Sequence, residues 1–204
     1  MRHNFYGVLV AAVGIVGAAA VSLHAAETSI VVRTYTEAAS AGDLRAARRT
    51  ASAILERAGI QVVWLECARP DGATDAGACT QAPRWNELMV RLVSAGSVNG
   101  RLGVDTLGFA LVDVDAGSGL LATVYADRVR VAAQSAGVDQ AELLGRAMAH
   151  EVGHLLLGTN GHATQGLMRA SWSSVDLRGH RVQWFFNGKE GEAMRSGIAS
   201  RFRF

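Results

Sequence analysis

The sequence lacks any strong excess of charge. Its 20 basic and 18 acidic residues leave a formal net charge of +2, and Lys189 is the only lysine. No dense basic run is present, so the composition gives no argument for a nucleic-acid partner. We interpret the scarcity of lysine as coding bias. Repeats and low-complexity segments are also missing, and half of the 204 residues are hydrophobic. This composition suits one domain with a substantial core.

Apart from one run at its beginning, the chain lacks long apolar runs. A short polar start precedes an uncharged apolar run, and small residues then lead to the first acid, Glu27. This layout predicts a secretory signal peptide over residues 1–26, cleaved after Ala25 or Ala26. We therefore expect residues 27–204 to be secreted or periplasmic. The alternative is an uncleaved membrane anchor, for which the run is short.

Cysteine is scarce as well, with only Cys67 and Cys79. The segment between them is rich in Gly, Ala, Asp and Pro, which indicates a surface loop. In an oxidising compartment, two such cysteines predict a disulfide bond that closes this loop. Metal binding by the two thiols is the alternative, and the lack of a nearby histidine disfavours it.

Runs of β-branched residues alternate with segments of helical periodicity, which predicts an α/β fold. A strand, a helix and a second strand within about 40 residues predict a right-handed parallel unit. Two later strands are predicted to form a hairpin. The predicted strands are residues 29–38, 60–67, 87–93, 106–114 and 119–129. Three helices are predicted. The first begins with Asp43 as its N-cap and ends at Gly59. The second begins with a capping box of Asp139 and Glu142 and ends at Gly158, and the third covers residues 191–202.

The second of these helices carries metal-binding residue types. His150 and His154 are four residues apart, so a helix presents both imidazoles on one face, one turn apart. Zinc binds imidazole nitrogen at about 2.0–2.1 Å and, in catalytic sites, keeps one position open. Glu151 is rotated by about 100° from His150, which places its carboxylate beside the ion as a general base. The alternative is a helix that carries ordinary histidines.

A helix alone cannot supply a third ligand, so the chain must turn back. We expect Gly158 to end the helix in the left-handed conformation. His162 is then the predicted third ligand, with Asp176 and His180 as alternatives. Gly153, inside the helix, predicts the close approach of another backbone segment.

These residues resemble the zinc-binding region of the metzincin metalloproteases. Those proteins read His-Glu-x-x-His-x-x-Gly-x-x-His, followed by a methionine turn beneath the metal. In this chain the glycine lies four residues after His154, and His162 lies eight after it. Met168, the candidate for the methionine turn, stands six residues after His162. The turn beyond the helix must therefore differ in shape from that of the family.

The resemblance implies a zincin-like fold. We expect a mixed, mostly parallel sheet of about five strands with an antiparallel edge strand at residues 107–113, a backing helix and a zinc-binding helix. Residues 27–204 would form one catalytic domain. Its sheet and zinc helix would occupy residues 27–158, and a small irregular part would follow at residues 159–204.

The expected function is that of an exported zinc metallopeptidase of the endopeptidase type. His150, His154 and His162 would hold the zinc ion, and Glu151 would act as general base and then as acid. The expected partner is a peptide or protein substrate extended along the edge strand, with no nucleic-acid partner and no membrane partner after signal cleavage. The alternatives are a non-peptidase zinc amidohydrolase and a zinc-containing binding protein without turnover.

Four other side chains are weaker candidates. Tyr125 is a candidate donor to an oxyanion and Arg128 a candidate partner of a substrate carboxylate. Trp172 and Trp184 are candidates to line a subsite. The alternatives are core packing for the aromatic residues and a structural ion pair for the arginine.

Overall fold

The computed structural model describes residues 28–68, 76–97, 106–179 and 184–201. The predicted signal peptide over residues 1–26 therefore lies outside the described residues, as does His180. Within the described ranges, no helix has both the length and the apolar character that a membrane span needs.

A five-stranded sheet forms the centre of the molecule. Its strands are β1 (Ser29–Thr36), β2 (Gln61–Ala68), β3 (Glu87–Val93), β4 (Gly108–Asp113) and β5 (Ser118–Tyr125). The spatial order is β2-β1-β3-β5-β4. The first four strands in this order pair in parallel, and β4 pairs antiparallel with β5 at one edge. The predicted mixed, mostly parallel sheet with an antiparallel edge strand is confirmed.

Six α-helices accompany the sheet in the described part of the chain. They are α1 (Ala41–Arg57), α2 (Ala76–Cys79), α3 (Ala126–Ala136), α4 (Gln140–Leu157), α5 (Ser174–Arg178) and α6 (Gly188–Arg201). Helix α4 packs against α1, β5, β4, α3 and α6. The core forms where alternate residues of the parallel strands meet α1 and α4, and it includes Val32, Val90, Val124, Leu55 and Leu144.

The beginning of α1 differs from the prediction. Asp43 is not the N-cap, since Ser40 occupies that position and its hydroxyl accepts a hydrogen bond from the Asp43 backbone N–H. The Asp43 carboxylate in turn accepts a hydrogen bond from the Ser40 hydroxyl at 2.8 Å. Serine and aspartate are both common N-cap residues. In this helix the serine, three residues before the aspartate, is the N-cap.

The predicted strand over residues 119–129 is wrong in its second half. The chain leaves the sheet after Tyr125 and turns directly into α3. The Asp127 carboxylate accepts hydrogen bonds from the Ser94 hydroxyl at 2.8 Å and the Ala95 backbone N–H at 3.0 Å. These bonds tie the first turn of α3 to the end of β3. Val129 is fully buried, as a helix with one apolar face requires.

Helix α4 is buried along nearly its whole length, so the polar residues on it lie in the interior of the protein. Asp139 caps its beginning by accepting a hydrogen bond from the Glu142 backbone N–H at 2.7 Å. The other half of the predicted capping box does not form, because the Glu142 carboxylate pairs with Arg146 one turn later. Gly158 ends the helix in the left-handed conformation, with φ of 65°, as predicted.

The disulfide bond between Cys67 and Cys79 is present. It joins the end of β2 to α2, on the connection that leads to β3. Further along this connection, the Gln81 carbonyl accepts a hydrogen bond at 2.7 Å from the buried guanidinium of Arg33. The crosslink therefore restrains a segment that also covers a buried charge.

We predict that replacing both cysteines, Cys67→Ala with Cys79→Ala, lowers the free energy of unfolding by about 3 kcal/mol. The cysteines are 12 residues apart, and their bond limits the freedom of the unfolded chain. Urea unfolding of the two proteins measures the difference. Reducing agent should destabilise the parent by a similar amount and leave the variant unchanged. Equal midpoints for parent and variant would contradict the prediction.

Candidate metal centre

Two imidazoles of α4 point at one location. His150 and His154 are 7% and 4% exposed, and their Nε2 atoms lie 3.0 Å apart. The two rings meet edge to face, with centroids 4.7 Å apart. One helical turn thus brings two nitrogen ligands together, as their spacing predicted.

The third histidine joins them from the segment after the helix. His162 Nε2 lies 3.2 Å from His154 Nε2, and the ligand atoms of the three histidines all lie within 4.8 Å of one another. Two nitrogens bound tetrahedrally to one ion at about 2.05 Å would be about 3.3 Å apart. The cluster therefore has the dimensions of a metal centre with three nitrogen ligands.

Two backbone carbonyls orient the buried rings. His150 Nδ1 lies 2.9 Å from the Leu167 carbonyl oxygen, and His154 Nδ1 lies 2.8 Å from that of Thr159. Each Nδ1–H donates to its carbonyl, which leaves the Nε2 lone pair directed at the common centre. Such partners are typical of histidines that bind metals. The sequence did not predict these two carbonyl partners, because they lie in turns whose shape no local pattern predicts.

Burial keeps the imidazoles in the neutral form that binds metals. Removal from water lowers the pKa of His150 to about 4, against the raising effect of its bond to Leu167. Burial also lowers the pKa of His154 and of His162. At neutral pH no proton has to leave these nitrogens before a cation binds.

Glu151 follows His150 on α4 and is buried as well. It is 5% exposed, and within the described ranges its Oε2 atom has no hydrogen-bond partner. Burial raises the pKa of its carboxyl to about 8. A buried carboxyl oxygen without a partner destabilises a fold, so the position of Glu151 calls for a chemical reason. A neighbouring cation and a water molecule would supply one.

Gly108, at the beginning of the edge strand β4, makes room for this carboxyl. A Cβ at position 108 would lie 2.8 Å from Glu151 Oε1 and 2.7 Å from the Thr123 carbonyl oxygen. Any other residue would push Glu151 away or distort the pairing of β4 with β5. Sequence analysis missed this role, although a glycine within a predicted strand is a signal of close approach.

Apolar side chains pack against α4 at Gly153, next to His154. Met168 is 1% exposed, and its Sδ atom would lie 2.9 Å from a Cβ on Gly153. The Phe186 ring would be nearer still, at 2.6 Å. The predicted close approach at Gly153 therefore exists, but two side chains make it and not a backbone segment. Trp172 packs edge to face on His150, with ring centroids 5.5 Å apart.

Asp176, an alternative third ligand, has another role. Its carboxylate pairs with Arg169 at 2.9 Å and completes a capping box with Ser173 at the beginning of α5. The bond from Arg169 holds the pKa of Asp176 well below its usual range. In the described ranges, the side chains brought together as ligands are the three histidines alone. His180 lies outside these ranges.

The centre opens on a cleft of about 1110 Å³. His150, His154, His162 and Glu151 all line it. The other walls come from the beginning of β4, from α3 and from residues 169–174, where Trp172 lines the cleft as proposed. Tyr125 is 1% exposed, and its ring packs against Phe109. This favours core packing for Tyr125 over a role in the cleft.

No protein-family model matches the chain, and no curated protein is significantly similar to it. The chemical interpretation of the centre therefore depends on its own geometry. Three features carry that interpretation: the converging Nε2 atoms, the carbonyls behind two of the rings, and the buried carboxyl beside them.

We predict that His150→Ala and His154→Ala each weaken zinc binding by more than roughly 100-fold, since losing a ligand exceeds the effect of losing a partner behind it. His162→Ala should weaken it as well, while Asp176→Asn and His180→Ala should bind as the parent does. Competition with a chelator measures the affinities. If His162→Ala still binds zinc tightly and His180→Ala does not, then His180 and not His162 is the third ligand.

We also predict that Glu151→Gln stabilises the metal-free protein more at high pH than at low pH. Between 4.5 and about 8 the folded state holds a proton on Glu151 that the unfolded state has lost. Stability contributed by this group therefore falls as pH rises through that interval. Thermal unfolding of parent and variant at the two ends of the interval measures it. An increment independent of pH would contradict the prediction.

Proposed function

We propose that the protein is a zinc-dependent hydrolase that cleaves peptide bonds. The observation that carries the proposal is the position of Glu151 in the cleft that three converging imidazoles also line. Its carboxyl is buried, and its Oε2 atom has no partner among the described residues. Three nitrogen ligands and no sulfur form a donor set that suits zinc in a catalytic role.

Zinc, when bound, would polarise the scissile carbonyl and make a water molecule acidic. The chain's own residues would do the rest. Glu151 would take a proton from the attacking water while the water oxygen bonds to the carbonyl carbon. The same carboxyl would then give this proton to the leaving amine as the C–N bond breaks. A carboxyl whose pKa burial raises to about 8 can both accept and donate a proton near neutral pH.

The edge strand supports a peptide as the substrate. In the described part of the chain, β4 pairs only with β5, so its other edge offers N–H and C=O groups. An extended peptide can add to such an edge as another strand. Gly108, Phe109 and Ala110 of β4 line the same cleft as Glu151. The proposed backbone pairing and the proposed chemistry therefore share one space.

The two other candidate functions fit the centre less well. A structural zinc site has four protein ligands and is closed, whereas in the described part of the chain three histidines come together and line a cleft. A structural site also has no use for Glu151. A hydrolase of non-peptide amides would have no need of a strand edge beside the metal.

We further propose that the chain is a distant relative of the metzincins and is exported. The strand order, the antiparallel edge strand and the packing of Met168 against Gly153, next to His154 on the same helix, support the relationship. The disulfide bond fits an oxidising compartment outside the cytoplasm. Helix α3, between β5 and the metal-binding helix, is an element that the resemblance did not imply.

We predict that Glu151→Gln lowers peptide hydrolysis by roughly 100- to 10,000-fold, because the variant cannot accept a proton. Its zinc content should equal that of the parent, since Glu151 is not a ligand. A peptide library digested by zinc-loaded protein measures the activity. Glu56→Gln, an exposed change on α1, is the matched control. Full activity in Glu151→Gln would refute the mechanism, and cleavage of non-peptide amides alone would replace the substrate.

A further inference from the structure

The third histidine of the centre lies on an exposed turn, unlike the two histidines of α4. Residues 159–162 are all exposed, whereas His150 and His154 are buried. Packing in the core fixes the two helical imidazoles, but an exposed segment has few buried contacts that could fix His162 in the same way. The position of His162 therefore depends on how the two ends of this turn are held.

Hydrogen bonds fix the shape of the turn and its far end. The Gly161 backbone N–H donates to Thr159 Oγ1 at 3.0 Å. After His162, the Ala163 backbone N–H donates to the Met168 carbonyl oxygen at 2.8 Å. The direction in which the turn leaves α4 is decided at its other end, at Gly158, where the helix ends in the left-handed conformation.

The turn of the β4–β5 hairpin, residues 114–117, lies directly against Gly158. A Cβ at position 158 would be 2.0 Å from the Gly117 carbonyl oxygen and 2.2 Å from its carbonyl carbon. Both distances are far below van der Waals contact, so the Gly117 backbone fills the space that any side chain at position 158 would need. The hairpin thus packs on the residue at which the chain turns towards His162.

The hairpin is itself held firmly at this place. The Asp113 carboxylate accepts hydrogen bonds from two backbone N–H groups of the hairpin turn, at 3.0 and 3.1 Å. Arg201 Nη2, from the end of α6, donates to the carbonyl oxygens of Gly119 and Leu155, each at 2.7 Å. The beginning of β5 and the last turn of α4 are therefore tied together, and the contact at Gly158 lies between two fixed elements.

We infer that the turn of the β4–β5 hairpin positions His162, through its contact with Gly158, and so raises the affinity of the centre for its metal. The inference rests on the proposed zinc centre. It gives a second role to the hairpin whose edge strand is proposed to bind the peptide. The same hairpin lies against Glu151 at Gly108, so one element aligns the third ligand with the proposed base.

A pair of glycine variants tests the contact. Gly158→Ala places a methyl group in the space of the Gly117 backbone, and we expect zinc binding to weaken by roughly 10- to 100-fold, as for other groups that orient metal ligands. Gly137→Ala is the matched control. Gly137 ends α3 with φ of 66°, and a Cβ there would meet nothing within 4 Å. The control should lose stability through backbone strain and bind zinc as the parent does. Equal zinc affinities in the two variants would overturn the inference.

A second variant loosens the hairpin turn without a clash and serves even if Gly158→Ala does not fold. Asp113→Ala removes the acceptor of two backbone hydrogen bonds, and we expect zinc binding to weaken by roughly three- to tenfold. Ser40→Ala, which removes the acceptor of the Asp43 backbone N–H at the beginning of α1, should bind zinc as the parent does. Parental affinity in Asp113→Ala would overturn the role of the hairpin.

A double-mutant cycle tests whether the effect acts through His162. Chelator competition gives the zinc affinities of the parent, Asp113→Ala, His162→Ala and the variant with both changes. The double variant should bind zinc as weakly as His162→Ala does alone, because positioning has no effect once the imidazole is absent. A general loosening of the fold would instead make the two losses additive, and additive losses would overturn the inference.

These affinities separate the inference from the proposed function, since they do not depend on hydrolysis. Weaker zinc binding in Asp113→Ala, with no cleavage of any peptide by the zinc-loaded parent, would refute the peptidase and retain the positioning role. Cleavage by the parent, with equal zinc affinities in parent and Asp113→Ala, would do the reverse. A parent that binds no zinc would overturn both.

Discussion

The structure depends on how α4 carries polar side chains through the core. Two imidazoles and a carboxyl on this helix are buried, and buried polar groups destabilise a fold unless they are hydrogen-bonded. The carbonyls of Thr159 and Leu167 satisfy the two imidazoles. Both carbonyls belong to the segment that turns back after Gly158. This segment brings His162 to the centre, and it also orients the imidazoles of His150 and His154.

Local patterns predicted most of the fold and the three histidines that come together at the candidate centre. Strand β3 occurs at its predicted bounds, and the end of α4 follows from Gly158, whose φ of 65° suits glycine. The spacing of His150 and His154 is a property of one helical turn, so it needed no tertiary information. The region after Tyr125 was predicted wrongly because a short apolar run fits a strand or a buried helix equally well.

The features that complete the centre could not be predicted in the same way. Gly108 matters because a distant carboxyl lies against it, and the carbonyl of Leu167 matters because a turn brings it behind His150. Such contacts join residues far apart in the chain, whereas hydrophobic periodicity describes neighbours.

If the protein is the peptidase proposed above, the crosslink between Cys67 and Cys79 protects it from its own activity. If one molecule cuts another anywhere between these two cysteines, the resulting pieces stay covalently joined. Strands β2 and β3 each pair with β1, so the sheet would still hold both pieces in register. Self-digestion at this segment would therefore leave a nicked molecule in one piece, with His150, His154 and His162 all on the longer fragment.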